Sequence, residues 1–553
     1  MPLPRFAARR SLARWALAGG AALVLVGGCG LGRGGSAGED GGDLSPDGPA
    51  PTHLAVPAPP AVAAPDPRLW VALAARLGVH QPLLLRADSG SLTLTTASGQ
   101  RLEGRELLLR WRPESLNPPL QLRRRVLGPF ASYESAEEAA RLWQLQGVRT
   151  VIAHPADWEV WAPADAPVPE GQPSRLVALQ LHQRLQPELQ GASGALPLAG
   201  PLQVQAPGGL QWRGGVFRGP FRLQPDAYGT WTLVEEVPLE RYLLGVVPHE
   251  IGAGSPAAAL AAQAVLARTW ALRNQGRYGV DGYHLCSDTQ CQVYGDPGLA
   301  GAAVRQALAA TRHQLLSWQG QPIHAVYHAT NGGVSAGYTE VWGGAALPYL
   351  QPRTDGLPDL QRRFPQPLAP GQVAQLLATR SGFYGVDHPR FRWSRSLDAA
   401  EIAAAVRPLA PSLGTPVRVA VLERGPSGRV MALQIEGRGP GAGQAVVLRR
   451  DAIRRHLRSL PSTLFLVSAE GPGRWRFQGG GFGHGAGLSQ AGAIELAARG
   501  WGVDRILAHY YPGTSLLRLD QLDPAPAGGL AQAPAPAPSG GPAPGAELPG
   551  SAP

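Results

Sequence analysis

The sequence predicts a mixed α+β protein, in which a small α/β unit precedes a larger domain of strands and helices. Short runs of alternating apolar and polar residues, bounded by glycine and proline, recur between residues 82 and 234 and are typical of strands. Two stretches with helical spacing follow, at residues 238–247 and 256–275. With 72 Gly and 55 Pro among 553 residues, the chain is expected to contain several units or long tails.

The composition excludes several classes of protein. Charged residues make up 16% and hydrophobic residues 44% of the chain, which excludes a charge-driven disordered protein and a coiled coil. The chain has no lysine, and 50 arginines against 40 acidic residues give a formal charge of +10. This charge suits a polyanionic partner such as nucleic acid or the cell wall. Because no basic stripe is interleaved with aromatic residues, no nucleic-acid partner is expected.

The first 28 residues have the pattern of an export signal. Four arginines precede an uncharged stretch from Trp15 to Gly28, which is shorter than the ~18 apolar residues of a membrane span. Two glycines before Cys29 make this region resemble a bacterial lipobox. That resemblance implies an exported lipoprotein of the cell envelope, anchored to the membrane by a lipid on Cys29. A plain secretory signal is the alternative.

Two segments are too rich in glycine and proline to bury a core. Residues 29–67 are predicted to be a flexible linker behind the lipidated cysteine, and residues 521–553 a disordered tail. The remaining chain divides into a small unit at residues 68–165 and a larger unit at residues 176–520.

The small unit contains one helix among short strands. Ser135 is predicted as the N-cap of this helix and Gly147 as the residue that ends it. Strands are predicted at residues 82–86, 91–96, 125–130, 148–154 and 158–161. The Gly-Pro-Phe at 128–130, the alanine-rich helix and the glycine after it resemble half of a sporulation-related repeat (SPOR) domain, which implies binding to peptide-stripped glycan. A packing module without a ligand is the alternative.

The larger unit opens with strands and continues with two helices. Strands are predicted at residues 211–221 and 228–234. Pro238 fits the first turn of an amphipathic helix that Pro248 ends. Ser255 is predicted as the N-cap of the second helix, which stops before Gly276. Small residues form a stripe along this second helix, which predicts close packing against a neighbouring element.

Several motifs follow one another in the larger unit. They are Val-Pro-His-Glu-Ile at 247–251, Ala-Ala-Gln-Ala-Val-Leu-Ala-Arg-Thr-Trp at 261–270, Cys-Ser-Asp-Thr-Gln-Cys-Gln-Val-Tyr-Gly at 286–295, Gly-Phe-Gly-His-Gly-Ala-Gly-Leu-Ser-Gln at 481–490 and His-Tyr-Tyr-Pro-Gly-Thr at 509–514. In this order they resemble the stage II sporulation protein D and amidase-enhancer (SpoIID/LytB) family. The resemblance covers about residues 202–516.

The resemblance implies lytic cleavage of peptidoglycan glycan strands that lack stem peptides, with Glu250 as the catalytic acid/base. One carboxyl suffices, because the C6 hydroxyl of muramic acid attacks its own C1 and leaves a 1,6-anhydro end, whereas hydrolytic glycosidases need two carboxyls. No cofactor is required for this reaction. The alternatives are a non-catalytic wall-binding protein that enhances a cell-wall amidase, and a structural envelope scaffold.

Six further residues are predicted to bind the glycan. They are Arg268, Tyr327, Asn331, His484, Ser489 and Gln490. Hydroxyl and amide groups suit sugar hydroxyls and N-acetyl groups, and Arg268 suits either an acidic sugar substituent or Glu250. A structural ion pair at Arg268 and a structural histidine at His484 are the alternatives. Ala261 stands where the family commonly has a lysine, which weakens the catalytic set.

The last two features concern a glycine-rich loop and a cysteine pair. Six glycines between residues 479 and 487 lack the lysine of a phosphate loop, so their backbone is expected to approach a sugar or a neighbouring strand. For Cys286 and Cys291 a disulfide is favoured. Some family members bind zinc here through a histidine just before the second cysteine, but Gln290 takes that place. A structural zinc held with His284 and free thiols are the alternatives.

Overall fold

The computed structural model describes residues 50–63, 65–191, 194–439 and 441–522. The export signal, Cys29 and the tail after residue 522 lie outside these ranges. The strands are β1 (Arg68–Leu77), β2 (Leu83–Ala87), β3 (Leu92–Thr95), β4 (Arg101–Gly104), β5 (Glu106–Phe130), β6 (Val151–Ala153), β7 (Trp158–Ala162), β8 (Ser174–Gly191), β9 (Gly194–Pro197), β10 (Leu202–Gln205), β11 (Leu210–Trp212), β12 (Gly215–Phe217), β13 (Phe221–Pro225), β14 (Trp231–Pro238), β15 (Leu285–Cys286), β16 (Gln314–Trp318), β17 (Gln321–Pro322), β18 (Tyr327–His328), β19 (Val334–Ser335), β20 (Arg353–Thr354), β21 (Trp393–Asp398), β22 (Thr415–Arg424), β23 (Val430–Gly439), β24 (Gly441–Arg449), β25 (Phe465–Gly471), β26 (Arg474–Gly479), β27 (Leu488–Ser489) and β28 (Ser515–Arg518).

The helices are α1 (Tyr133–Gln144), α2 (Leu239–Val247), α3 (Ala257–Arg273), α4 (Ala302–Ala310), α5 (Tyr338–Val341), α6 (Pro358–Arg363), α7 (Gln372–Ala378), α8 (Ala399–Val406), α9 (Asp451–His456), α10 (Gln490–Ala498) and α11 (Val503–Tyr510). A π-helical turn, Pro248–Gly252, follows α2 directly. Helices and strands both contribute large parts of the described chain, so the predicted α+β class is confirmed.

A seven-stranded sheet joins the two predicted units. Its strand order is β15-β1-β14-β13-β10-β3-β4. β1 pairs antiparallel with β14, from Arg68 opposite Pro238 to Leu77 opposite Trp231. Strands from both sides of the predicted boundary near residue 170 therefore share one sheet, while the domain bounds themselves stay a prediction.

A second sheet contains most strands of the small unit. Its order is β12-β11-β2-β5-β7-β6, and β8 and β9 extend it from β5. The predicted strands of this unit correspond to β2, β3, the end of β5, β6 and β7. The run at residues 211–221 forms a hairpin of β11 and β12 followed by the start of β13, because Arg213 and Gly214 both have positive φ and turn the chain.

The predicted N-cap of α1 is wrong. Ser132 has extended backbone, and its hydroxyl oxygen accepts a hydrogen bond from the Ser135 N–H. Ser135 therefore lies in the first turn, and both serine hydroxyls donate to Asp451. The helix begins earlier than predicted because Tyr133 is buried, with its ring 5.2 Å from that of Trp158.

The two helices of the larger unit form as the apolar spacing predicts. α2 has Pro238 as its N-cap and buries its apolar face in the largest core. In α3 every residue from 259 to 272 is buried, which is typical of a helix at the centre of a core. The predicted N-cap Ser255 is wrong, because its hydroxyl donates to the Ile251 carbonyl of the preceding turn (2.8 Å) and Pro256 takes the cap position.

Part of the predicted linker packs against the sheets. The Arg123 N–H donates to the Pro51 carbonyl (3.0 Å), and Arg124 Nη1 donates to the Thr52 carbonyl (2.9 Å). Pro51 and Thr52, which lie within the predicted linker, are therefore hydrogen-bonded to β5 and are not part of a free tether. None of the helices in the described part of the chain is long and apolar enough to span a bilayer.

Candidate functional site

One groove brings together residues from distant parts of the chain. Its volume is about 550 Å³, and it lies between the π-helical turn, α10 and the loop around residue 387. The lining residues are Glu250, Ile251, Ala329, Gly385, Asp387, His388, Gln490, Ala491, Ile494, Glu495 and Ala498. Of the predicted site residues, Glu250 and Gln490 line this groove.

The π-helical turn places Glu250 at the groove. Pro248 has no N–H to donate to the Leu244 carbonyl, so the regular hydrogen bonds of α2 end there. The chain opens into the wider turn Pro248–Gly252, which ends with Gly252 at a φ of +89°. Turns of this kind are frequent at functional sites. Glu250 therefore sits on a short segment fixed between α2 and α3.

The loop after Cys291 supplies a hydrogen bond to the carboxylate. The Val293 N–H donates to Glu250 Oε1 at 2.9 Å. The loop comes this close because Gly245 faces it from α2. The Gly295 N–H donates to the Gly245 carbonyl (3.0 Å), and a Cβ at position 245 would overlap the Gly295 carbonyl oxygen. Glycine inside a helix costs about 0.5–1 kcal/mol, and this close approach explains its presence.

Burial raises the pKa of the Glu250 carboxyl. The side chain is half-buried, and burial raises the pKa of its carboxyl above the ordinary value of 4.5, while the Val293 N–H acts in the opposite direction. Gln490 Nε2 donates to the backbone carbonyl of Glu250 (2.9 Å) and to Gln263 Oε1 (3.3 Å). The raised pKa keeps a larger fraction of the carboxyl protonated, as a proton donor requires.

Tyr327 lies close to Glu250 but does not line the groove. Its hydroxyl oxygen accepts a hydrogen bond from Gln292 Nε2 (2.9 Å), and Gln292 Oε1 accepts one from the Tyr242 hydroxyl (3.2 Å). Burial, and then the charge of Glu250, raise the pKa of Tyr327 well above 10. The phenol is therefore neutral and is held in place by a buried amide.

Arg268 forms a buried ion pair away from the groove lining. Its side chain is fully buried, with Nε and Nη2 at 2.7 and 2.8 Å from the two carboxylate oxygens of Glu240. Nη1 donates to the Gln314 carbonyl at 2.9 Å. All three guanidinium nitrogens therefore have hydrogen-bond partners within the protein. Arg268 forms the structural ion pair that the sequence analysis gave as the alternative to substrate binding. Arg268 has no hydrogen bond with Glu250 within the described residues.

Asn331 and Ser489 are fully buried, and their side chains bind partners within the protein. Asn331 Nδ2 donates to Asp355 Oδ2 (2.7 Å), and its Oδ1 accepts from the Gly333 N–H (2.8 Å). Ser489 is the N-cap of α10 and accepts from the Gly492 N–H (3.2 Å). Neither side chain lines the groove: Ser489 caps α10, and Asn331 ties its own loop to Asp355.

His484 is held within the glycine-rich loop. Its Nδ1 accepts from the Ala486 N–H (3.2 Å), so Nε2 carries the proton and donates to the Tyr327 carbonyl (2.9 Å). Burial, followed by the charge of Arg454, lowers the pKa of His484 to about 4. A neutral histidine with both nitrogens bonded matches the structural alternative, and it does not line the groove. A Cβ at Gly485 would overlap the guanidinium of the buried Arg429, so the loop's backbone approaches protein.

The cysteine pair does not fit a zinc site. Cys286 and Cys291 are joined by a disulfide, with their Cα atoms 5.6 Å apart. His284 Nδ1 accepts from the Trp70 N–H (2.7 Å), so Nε2 donates to the Pro60 carbonyl (2.9 Å). Both sulfurs and both ring nitrogens are thus engaged. The described residues also contain no cluster of three or more His, Cys, Asp or Glu side chains suited to a metal.

The sequence did not predict the second wall of the groove. Asp387 and His388 lie there, and burial followed by the charge of Arg390 lowers the pKa of His388. Glu495 lines the groove from α10, where its carboxylate accepts from the Gly385 N–H and pairs with Arg499. The loop at residues 384–389 has no helical or strand period, so its glycine and proline indicate a turn but not its position in space.

Two family models match separate parts of the chain. The model described as "Stage II sporulation protein" matches residues 227–318, which include Glu250 and the disulfide. The model described as "Domain of unknown function (DUF8618)" matches residues 336–487, which include the second wall of the groove. The groove is therefore built by residues of both matched segments together with α10.

Curated relatives extend the first match. Stage II sporulation protein D of Bacillus subtilis (strain 168) is 28% identical over 312 residues, which cover 52% of this chain and 76% of that protein. The protein of the same name from Bacillus amyloliquefaciens is 28% identical over 317 residues, which cover 52% and 77%. The amidase enhancer of Bacillus subtilis (strain 168) is 27% identical over 297 residues, which cover 50% of this chain and 40% of that protein.

The likeness of the small unit to a SPOR repeat stays a prediction, since both matched models begin after residue 165. The family resemblance of the larger unit, predicted from its ordered motifs, is confirmed: residues 227–318 match the Stage II sporulation protein (SpoIID) model, and the chain is similar to stage II sporulation protein D over half its length.

Proposed function

We propose that this protein is a lytic transglycosylase of the cell wall, which cleaves peptide-free peptidoglycan strands and uses Glu250 as its acid/base. The observation that carries the proposal is the half-buried carboxyl of Glu250 at the groove. Burial raises its pKa, the Val293 N–H fixes Oε1, and Gln490 holds its backbone carbonyl. A groove of about 550 Å³ lies within the range of volumes that small-molecule sites have.

The proposed reaction needs one proton donor that becomes a proton acceptor. Protonated Glu250 gives its proton to the glycosidic oxygen as the bond from that oxygen to C1 of muramic acid breaks. The C6 hydroxyl of the same sugar forms the new bond to C1, and its proton returns to Glu250. No water is consumed, and the nucleophile is already part of the bound sugar.

The other groove carboxylates are less suited to a second catalytic role. A hydrolase would need one to activate water or attack C1. Glu495 is already bound to the Gly385 N–H and to Arg499, which fixes it as part of the wall. Asp387 is exposed on the opposite loop. The proposal therefore gives the acid/base role to Glu250 alone.

The proposed setting is the cell envelope. The pattern around Cys29 supports an exported chain anchored by lipid, although Cys29 lies outside the described residues. The net charge of +10, which becomes about +6 once the four arginines of the export signal are removed, supports an anionic wall polymer as the partner. A cell-wall amidase, which would strip the stem peptides, is the proposed functional partner.

A second candidate is a non-catalytic enhancer of such an amidase. Two observations favour it: a relative that is 27% identical is named an amidase enhancer, and the buried residue Ala261 stands in α3 where the family commonly has lysine. The retained Glu250 and its raised pKa favour the enzyme instead.

The test is product analysis with two matched variants. The full chain, its Glu250→Gln variant and its Asp387→Asn variant are incubated with peptide-free glycan strands, and the products are examined by mass spectrometry. The proposal expects anhydro-ended sugars from the wild type and from Asp387→Asn, and none from Glu250→Gln. If all three proteins bind the strands, release nothing and stimulate a purified amidase equally, the enhancer replaces the enzyme.

A further inference from the structure

Two arginines that the proposed chemistry does not use are hydrogen-bonded to the loop that forms the second wall of the groove. Arg380 and Arg390 are exposed, and within the described residues neither forms an ion pair with a carboxylate. Both lie in the segment at residues 336–487. Their guanidinium groups therefore have N–H groups available to an anion from outside the protein.

Arg390 is bonded through its backbone, and its side chain stacks on an aromatic ring. Its N–H donates to His388 Nδ1 (3.1 Å), and its carbonyl accepts from the Gly481 N–H (3.1 Å). The guanidinium carbon lies 4.1 Å from the centre of the Phe482 ring. Stacking on an aromatic ring leaves the N–H groups at the edge of the guanidinium free, and it reduces the entropy lost on binding. Arg390 is thus a preorganised donor.

Both ends of this stack adjoin groove-lining residues. His388, which bonds to Arg390, lines the groove itself. Phe482 donates its N–H to the Thr330 carbonyl (2.7 Å), and Thr330 directly follows the lining residue Ala329. We use the name basic rim for three groups beside the second wall of the groove: the side chains of Arg390 and Arg380 and the ring of Phe482.

Arg380 belongs to the same rim through its contact with the loop. Its Nη2 donates to the Val386 carbonyl (3.1 Å), and Val386 lies between the lining residues Gly385 and Asp387. The two arginines therefore lie before and after the lining loop in sequence, and both bond to it. Within the described residues, their remaining N–H groups form no ion pair with a carboxylate.

The charge of the groove and of its surroundings is opposite in sign. The segment at residues 336–487 has 19 arginines and 10 acidic residues, a formal charge of +9 in a chain whose total is +10. The groove lining itself holds the carboxylates of Glu250, Asp387 and Glu495 and no arginine. An anionic substituent is repelled from the acidic lining and attracted to the basic rim.

We propose that Arg390 is a specificity-determining residue that binds the free lactyl carboxylate of muramic acid in a glycan strand. The proposal rests on the proposed function, since it assumes a peptidoglycan strand in the groove. Removing a stem peptide converts a neutral amide on the lactyl group into a carboxylate. A guanidinium fork matches a carboxylate with two parallel hydrogen bonds, which a neutral amide cannot reproduce. The basic rim would thereby bind strands whose stem peptides have been removed more tightly than strands that keep them.

In this proposal, Arg390 takes the role that the sequence analysis predicted for Arg268, which is to bind an acidic sugar substituent. An arginine was expected to hold an acidic sugar substituent, but Arg268 is buried against Glu240. Arg390 offers the same chemistry at the groove, from a segment outside the family's matched residues 227–318.

The test measures binding in the full chain carrying Glu250→Gln, so that cleavage cannot interfere. Two probes are compared: peptide-free glycan strands with free lactyl carboxylates, and the same strands with these groups converted to neutral methyl amides. Arg390→Gln is added to the Glu250→Gln chain, and Arg407→Gln, which changes an exposed arginine at the end of α8, serves as the matched control.

We expect Arg390→Gln to weaken binding of the free-carboxylate strands about fivefold, the upper range for one exposed ion pair. Binding of the methyl-amide strands should stay unchanged, as should binding of both probes by Arg407→Gln. Equal affinity of the parent and Arg390→Gln for the free-carboxylate strands would overturn the inference. The binding assay uses a chain that cannot cleave, so it does not depend on lytic activity. A wild type without lytic activity would overturn the proposed function, but it would not change the binding difference measured for Arg390→Gln.

Discussion

The strongest prediction for stability concerns the buried pair of Arg268 and Glu240. Arg268→Met removes a fully buried guanidinium that makes two hydrogen bonds to Glu240 and one to the Gln314 carbonyl. Breaking a buried ion pair by removing one partner costs about 3–5 kcal/mol. Glu240 keeps 19% of its side chain exposed and still accepts from the His313 N–H, so we expect a loss near the lower end, about 3 kcal/mol.

Urea denaturation followed by tryptophan fluorescence measures this loss. Arg312→Met, which changes the exposed arginine next to His313, is the control and should alter the free energy of unfolding by less than about 0.5 kcal/mol. The double variant Arg268→Met with Glu240→Leu should be less destabilised than the sum of the two single variants, because no carboxylate is then left unpaired. An Arg268→Met protein of unchanged stability that no longer binds glycan would refute the reasoning and return Arg268 to the substrate site.

Three further predictions follow from single contacts. Glu250→Gln should raise the free energy of unfolding at pH 8 and leave it unchanged below about pH 4. The reason is that a carboxyl whose pKa is raised in the folded state destabilises the fold as the pH rises through that pKa, and glutamine carries no charge. A gain in stability at low pH only would contradict this. Cys291→Ala should lower the unfolding free energy by about 2 kcal/mol, the loop-closure value for so short a loop, and excess reductant should abolish the difference from the wild type. Ser132→Ala should cost about 1 kcal/mol in thermal unfolding and more than Ser135→Ala, since Ser132 is the N-cap; the reverse order would argue against that assignment.

The elements that carry Glu250 could be predicted because their patterns are local. The apolar period placed α2 within one residue of its observed bounds, and Pro248 marked its end. The caps were less predictable. Ser132 and Ser135 are both good capping residues, and the burial of Tyr133, a tertiary contact, decides between them. Ser255 is also a good capping residue, but its hydroxyl donates to the Ile251 carbonyl of the preceding turn and does not cap α3.

Most of the candidate binding residues could not be placed from motifs. A motif identifies residues that a family uses, but it does not tell whether a side chain faces the groove or the protein. Arg268, Asn331 and Ser489 face partners in the protein that are distant in sequence or belong to backbone turns. The wall at Asp387 and His388 is the converse case, since a loop without a period becomes part of the groove only through long-range packing.

Cleavage of peptide-free strands in water enriched with ¹⁸O tests the central claim most directly. If Glu250 acts alone and the C6 hydroxyl is the nucleophile, the new ends are anhydro sugars that carry no ¹⁸O, and Glu250→Gln forms none of them. Reducing ends labelled with one ¹⁸O, lost equally in Glu250→Gln and Asp387→Asn, would show hydrolysis by two carboxylates and contradict the account.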